Sequence, residues 1–370
     1  MNHKASKLLF LVAAVAMLLC LTSCGGDVVK HADHLEDYVR TMDYEDGFTI
    51  LQLSDIHWHE GTQIGDAEGT YGSKAYLTKL FKEVRSHAGK IDLVELTGDL
   101  FMLTNTAEVT SFIEFMESED VPYAVTWGNH DRHGMYNPNW ISEQFKKAPH
   151  CVYAEIDKDD VHERGNFVIN LQNADKTTAW QVVNLDSGAS YRKGAMDLAL
   201  TYDFIREDQF AWMEAEHEAV GEQVPVIAYY HIAQKDATNA FEAISAGAEG
   251  YKQAFFKLEG FGSSKYCNTT EEAFLKCNVK AAFMGHCHAN DWTYTTPSGI
   301  TYGFGVKTTP ELYYGYATPD YKDAGFEVTE KYMIIGASLV TLNDTEGDFT
   351  LEHLYFNERE PEDFVLWRTY

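Results

Sequence analysis

Phe48-Thr49-Ile50-Leu51-Gln52-Leu53-Ser54-Asp55-Ile56-His57 is an apolar run that stops at an acid and an imidazole. Four later runs repeat the design. Residues 91–97 end in Gly98-Asp99, residues 121–127 in Gly128-Asn129-His130-Asp131, residues 224–230 in His231, and residues 279–284 in Gly285-His286-Cys287-His288. Short apolar runs of this kind suit strands buried on both faces. Helical spacing fills several gaps between them, over about 73–88, 106–118, 138–147 and 206–220. In the first of these Ala75, Leu77, Leu80, Phe81 and Val84 fall on one stripe. Alternation of strand and helix predicts an α/β fold. In such folds ligands sit beyond the carboxyl ends of the strands. Five strands would therefore carry Asp, Asn and His to one rim.

The donor set at that rim is specific. One carboxylate can bridge two cations, and imidazole with carboxylate suits Mn, Fe, Zn or Co better than an all-oxygen calcium site. Asp55 and His57 are two apart, so on a strand both share a face and can reach one ion. Gly precedes Asp99, Asn129 and His286, which permits tight turns there. Each block alone is weak; their order, each at a strand end, is not. Cys287 lies between two ligand-type histidines and is expected to point away from them as a buried thiol. His59 and His133 read as solvated loop residues. Arg132 is open between that reading and phosphate binding. Tyr313, Tyr314, Tyr316 and Tyr321 read as packing rather than as an aromatic wall.

These blocks resemble the calcineurin-like metallophosphoesterases, whose signature is Asp-x-His, Gly-Asp, Gly-Asn-His-Asp/Glu, a later His, and Gly-His-x-His. The resemblance spans about residues 47–357. Leu185-Asp186-Ser187-Gly188, Tyr202-Asp203-Phe204-Ile205, Gln209-Phe210-Ala211-Trp212 and Gly285–Asp291 resemble the branch related to purple acid phosphatases. Two departures stand out. The position of that branch's iron-binding Tyr is Met102, and His57 is present where true purple acid phosphatases lack a His. The resemblance implies a two-sheet β-sandwich flanked by helices, with 332–342 and 349–356 as closing strands. It implies two divalent metal ions, one on Asp55, His57, Asp99 and His288, the other on Asp99, Asn129, His231 and His286. It implies attack on phosphorus by a metal-bridging hydroxide, with His130 as general acid and Asp131 as a carboxylate that keeps it cationic. The expected activity is hydrolysis of small-molecule phosphate monoesters. A phosphodiesterase on the same site, or a non-catalytic binding lipoprotein, are the alternatives.

The rest of the chain bounds that expectation. The chain has 370 residues with 29 Lys+Arg against 57 Asp+Glu, a net charge of −28. A 45% apolar content excludes a disordered chain. The acidic excess argues against nucleic acid as a partner, since phosphate backbones are gripped by clustered Lys and Arg. Residues 1–23 have the basic start and short apolar run of an export signal. Leu21-Thr22-Ser23-Cys24 resembles a bacterial lipobox, so the expectation is an exported protein anchored to a bacterial membrane through lipidated Cys24. Residues 24–46 then read as a tether, 47–357 as the domain, and 358–370 as a tail. Cys267 and Cys277 are left open between a disulfide and two free thiols.

Overall fold

The computed structural model describes residues 38–59, 72–101, 105–132, 138–156, 161–192, 201–247, 249, 251–252, 262–288, 290–309, 334–357 and 365–370. Each of the five apolar runs contains a strand: β2 (Phe48–Leu53), β3 (Leu93–Leu96), β4 (Tyr123–Val125), β9 (Val226–Tyr230) and β11 (Val279–Met284). All residues of β2, β3, β4 and β9 are buried, as strands covered on both faces must be. The remaining strands are β1 (Val39–Asp43), β5 (Phe167–Gln172), β6 (Thr178–Asn184), β7 (Ser190–Tyr191), β8 (Thr201–Tyr202), β10 (Tyr251–Lys252), β12 (Thr293–Thr295), β13 (Thr301–Phe304), β14 (Ile334–Leu342), β15 (Phe349–Asn357) and β16 (Val365–Thr369). The helices are α1 (Ser73–Ala88), α2 (Thr106–Ser118), α3 (Pro138–Phe145), α4 (Glu207–Val220), α5 (Lys235–Ser245) and α6 (Glu271–Lys276). Four of them match the spacing-based expectations.

Two mixed sheets form the sandwich. One has eight strands in the order β1-β5-β6-β9-β11-β13-β12-β10, the other six in the order β16-β15-β14-β2-β3-β4. Gln52 Nε2 of β2 donates to the Met284 carbonyl of β11 at 3.4 Å, so these two strands face each other across the interior. Helices cover the outer faces. Trp58 and Phe81 meet the α2 side chains Phe112 and Phe115 at ring separations of 5.3 and 6.0 Å. Each such fully buried side chain contributes about 1.5–3 kcal/mol.

The pairing explains the rim. Strands β2, β3 and β4 are neighbours and parallel, and so are β6, β9, β11 and β13. Their carboxyl ends therefore emerge at shared edges of the two sheets. The ladder runs past the strands: Asp55 N–H donates to Gly98 O at 3.1 Å, and His57 N–H to Asp99 O at 2.9 Å.

Two boundaries differ from the expected tether and tail. Val39–Asp43 is β1, parallel to β5 at the edge of the larger sheet. Val365–Thr369 is β16, antiparallel to β15 at the edge of the smaller one. Only one of the five β1 residues is buried, and edge strands of that polarity carry no compositional mark separating them from a linker. β16 is docked by Trp367, which stacks on His87 of α1 at 3.9 Å. Cys151, Cys267, Cys277 and Cys287 are free thiols, which resolves the open pairing. Residues 1–37, Met102, His133 and the Tyr313–Tyr321 cluster lie outside the described residues.

Candidate metal centre

The rim turns are unusual in their backbone. Asp55 (φ 53°), His57 (φ 45°), Asp99 (φ 52°) and His286 (φ 72°) all occupy the left-handed region. A non-glycine residue there costs about 1–3 kcal/mol, and such strain concentrates where a side chain must be aimed. Local hydrogen bonds offset it. The Asp55 carboxylate accepts the His286 N–H at 3.1 Å and the Ser54 hydroxyl. Asp99 Oδ1 accepts the His130 N–H at 2.8 Å. Glycine is required beside them: a Cβ on Gly98 would lie 2.5 Å from His231 Nδ1, and one on Gly128 would collide with the Asp99 main chain and carboxylate.

All seven expected ligand residues converge. Asp55, His57, Asp99 and His288 form one group with ligand atoms within 4.8 Å of one another, and Asp99, His231 and His286 form a second. Asn129 joins the second, its Oδ1 3.3 Å from His231 Nε2. Asp99 belongs to both groups. His231 Nε2 is 3.3 Å from Asp99 Oδ2, His288 Nε2 is 3.4 Å from Asp55 Oδ1, and the Nε2 atoms of His57 and His288 are 3.3 Å apart. Donor atoms about 2.0–2.2 Å from one ion stand roughly 3.0–3.4 Å apart. Two imidazole nitrogens facing each other at that range need a proton or a cation between them.

The tautomers fit the same reading. His231 Nδ1 donates to the Thr97 carbonyl at 2.8 Å, which directs Nε2 at Asp99, and against the cost of burial the Asp99 carboxylate raises this imidazole to about 9. His286 has Gly262 packed against Nε2, while its buried Nδ1 has no partner. Burial and the nearby Lys307 ammonium hold His57 well below the usual imidazole range, hence neutral and able to donate a lone pair. Burial and the charge of His231 bring His286 down to about 4. Burial alone would raise Asp55 and Asp99, but His288 and His231 respectively hold them below the carboxylate range. Two ionised carboxylates beside neutral His57 and His286 attract cations, which would displace the proton that Asp99 keeps on His231. The residues therefore fit a pair of transition-type dications.

His130 lies at the mouth, partly exposed, its ring edge-on to His57 at 5.1 Å between centroids. Asp131 has a task the sequence did not suggest. Its Oδ1 accepts the N–H of Leu100 and Phe101 at 2.7 and 3.1 Å, and its Oδ2 accepts the N–H of Gly128 at 2.8 Å. It thereby ties the turn bearing Asp99 to the turn bearing Asn129. Burial and the Asp99 charge push it up to about 7 against those N–H donors. Arg132 is held by Glu163 at 2.5 Å and by buried Asp186, so it is an internal strut rather than a solvated loop residue. His59 is buried, not solvated, and its N–H donates to Ser73 Oγ at the start of α1. Cys287 is buried as expected.

Lys307, Thr308 and Thr309 were not foreseen. Buried Lys307 donates to the Asp55 carbonyl at 2.7 Å, Thr308 N–H to the Ser54 carbonyl at 2.9 Å, and Thr309 Oγ1 to the Ile56 carbonyl at 2.5 Å. They follow β13, whose Gly303, with Gly305 just beyond its end, hid it as a strand. Ser187 is a further brace, its Oγ accepting the Ile232 N–H at 2.9 Å beside His231. A third cluster, His162, Glu163 and Asp203, also has metal-type donors. Arg132 already neutralises Glu163, and Arg206 holds Asp203 at 2.5 Å, so this cluster is an ion-pair network.

A family model for calcineurin-like phosphoesterases matches residues 48–290. An Arabidopsis thaliana protein named Probable inactive purple acid phosphatase 28 is 24% identical over 312 residues, 75% of this chain and 74% of its own. Phosphatase DCR2 of Saccharomyces cerevisiae is 24% identical over 287 residues, 72% of this chain but only 49% of its own length. Among solved structures, a dimetal phosphatase from Danio rerio aligns over 88% of this chain and all of its own, with TM-score 0.49 and 11% identity. A purple acid phosphatase from yellow lupin seeds covers 88% of this chain and 54% of its own, with TM-score 0.44 and 14% identity. The matched region holds all seven ligand-type residues, and the chain belongs to the calcineurin-like phosphoesterases.

Proposed function

We propose that this protein hydrolyses phosphate monoesters on a dinuclear metal centre. The observation that carries the reading is Asp99, which stands in both ligand groups and so couples them into one site. When bound, two dications of the Mn, Fe, Zn or Co class would neutralise phosphoryl oxygens and lower the pKa of water near neutrality. The chain does the rest. Asp55, His57, Asp99 and His288 would hold one ion, and Asp99, Asn129, His231 and His286 the other. Thr97 keeps the proton on Nδ1 of His231, and Asp131 keeps the two turns in register. His130, at the mouth, is placed to donate a proton to the leaving oxygen. Its partial exposure gives it access to both bulk water and substrate.

Purified protein with its metals measured, tested on aryl phosphate monoesters and diesters, checks the reading. Monoesters should be preferred. A clear diester preference would reassign the protein to phosphodiesterases, and no hydrolysis by metal-loaded protein would favour a binding role. Two Arabidopsis relatives are named as probable inactive purple acid phosphatases, yet no ligand-type residue and no His130 is missing here. The signal-like residues 1–23 and Cys24 support export and lipid anchoring to a bacterial membrane. Cys24→Ala should then move the protein out of the membrane fraction; unchanged partitioning would sink the anchor.

A further inference from the structure

Tyr202 is one of two exposed large apolar side chains among the described residues, at 38% exposure. It does not lie on a remote surface. Its ring meets the ring of His286 edge-on, with centroids 4.5 Å apart. A partly exposed tyrosine therefore borders the metal centre. We infer that Tyr202 is a stacking platform for the leaving group, and that the preferred substrates are monoesters of flat, apolar alcohols, aryl or nucleoside-like, rather than of small alkyl alcohols. This rests on the phosphoester reading above.

The platform is held rigidly. Tyr202 belongs to β8, which among the described residues pairs with β7 in a two-stranded sheet outside both main sheets. In that sheet Ser190 faces Tyr202 and Tyr191 faces Thr201, so Tyr191 and Tyr202 point to opposite sides. On the far side Arg206 lies over the rings of Tyr191 and Phe204 at 4.7 and 4.1 Å. The next residue, Asp203, is clamped by Arg206 at 2.5 Å and by His162 Nε2 at 3.2 Å. Ile205 N–H donates to Gln234 Oε1 at 3.2 Å, which links the end of this sheet to the segment just after His231. Through Glu163, adjacent to His162, the network continues to Arg132, next to Asp131. Gly262 completes the arrangement: a Cβ there would stand 3.1 Å from Tyr202 Cε2 and would strike His286. A ring that only sealed His286 would need no such scaffold and would not stand partly exposed.

The test uses binding rather than turnover. Affinities of metal-loaded protein for phenylphosphonate and methylphosphonate are measured by calorimetry, with metal content checked in each variant. The phenyl-to-methyl affinity ratio should be about fivefold or more in the wild type, since ring stacking is worth ~1–3 kcal/mol per base. It should be kept by Tyr202→Phe and Tyr202→Trp, and should fall towards one in Tyr202→Leu and Tyr202→Ala. Two aliphatic variants guard against one that fails to fold. A wild-type ratio near one, or an unchanged ratio in a folded aliphatic variant, overturns the platform. If neither phosphonate nor inorganic phosphate binds, the phosphoester reading itself fails and the platform falls with it.

Discussion

On the proposed mechanism Asp99 holds metal and His130 gives a proton, and two substitutions tell these roles apart. Asp99 sits in both ligand groups, so Asp99→Ala should remove both metals and all hydrolysis together, read by metal analysis and assay on one sample. His130 gives Asp99 its main-chain N–H, which a change of side chain retains. His130→Ala should therefore keep the metals while slowing turnover about 100-fold on poor leaving groups. Unchanged turnover would remove His130 from proton donation. Glu95 is a different case. It is fully buried in β3, and burial raises its carboxyl well above the usual range despite contacts with Thr126 and Asn184. The folded protein thus keeps a proton that the unfolded chain releases above 4.5. Stability from this proton is present below 4.5 and is lost as pH climbs. Glu95→Gln has no proton to release. Its Tm relative to wild type should rise as pH climbs above 4.5; a pH-independent difference would show that Glu95 does not titrate this way.

At the scale of elements, the centre depends on how closely strand-end turns approach. The β4 turn at Gly128 lies so near the β3 turn that a Cβ would meet Asp99. Asp131 bolts the same two turns together through three main-chain N–H groups. Gly128→Ala should displace Asp99 without emptying the hydrophobic core. The expected result is metal affinity weaker by roughly 10–100-fold, as for other changes that misorient ligands, with far-UV circular dichroism unaltered. Wild-type metal affinity in that variant would show that the approach is not needed.

Over the whole molecule the governing quantity is charge. A net charge of −28 would repel a dianionic phosphate monoester at long range, while the centre would attract it only with cations in place. The screening length shrinks from about 30 Å at 0.01 M salt to about 8 Å at 0.15 M. KM for a phosphate monoester should therefore fall by about twofold or more over that range. A KM that rises with salt would mean that the local positive field outweighs the surface. The same surface leaves the rim as the place where an anion can settle.

The sequence by itself determined the five block-bearing strands, their succession along the chain and the ligand types at their ends. Those follow from apolar runs and local spacing, which neighbouring residues express without a partner. The spans of α1 and α2 were legible for the same reason. Only the tertiary structure decided that three parallel ends from one sheet meet two from the other, because sheet order is set by long-range pairing. It also decided that Asp131 braces main chain, that Lys307 and Thr309 hold the Asp55 turn, and that Val39–Asp43 and Val365–Thr369 are sheet edges. Each of those facts depends on a contact between residues distant along the chain, and no local pattern records which remote group will satisfy a given donor.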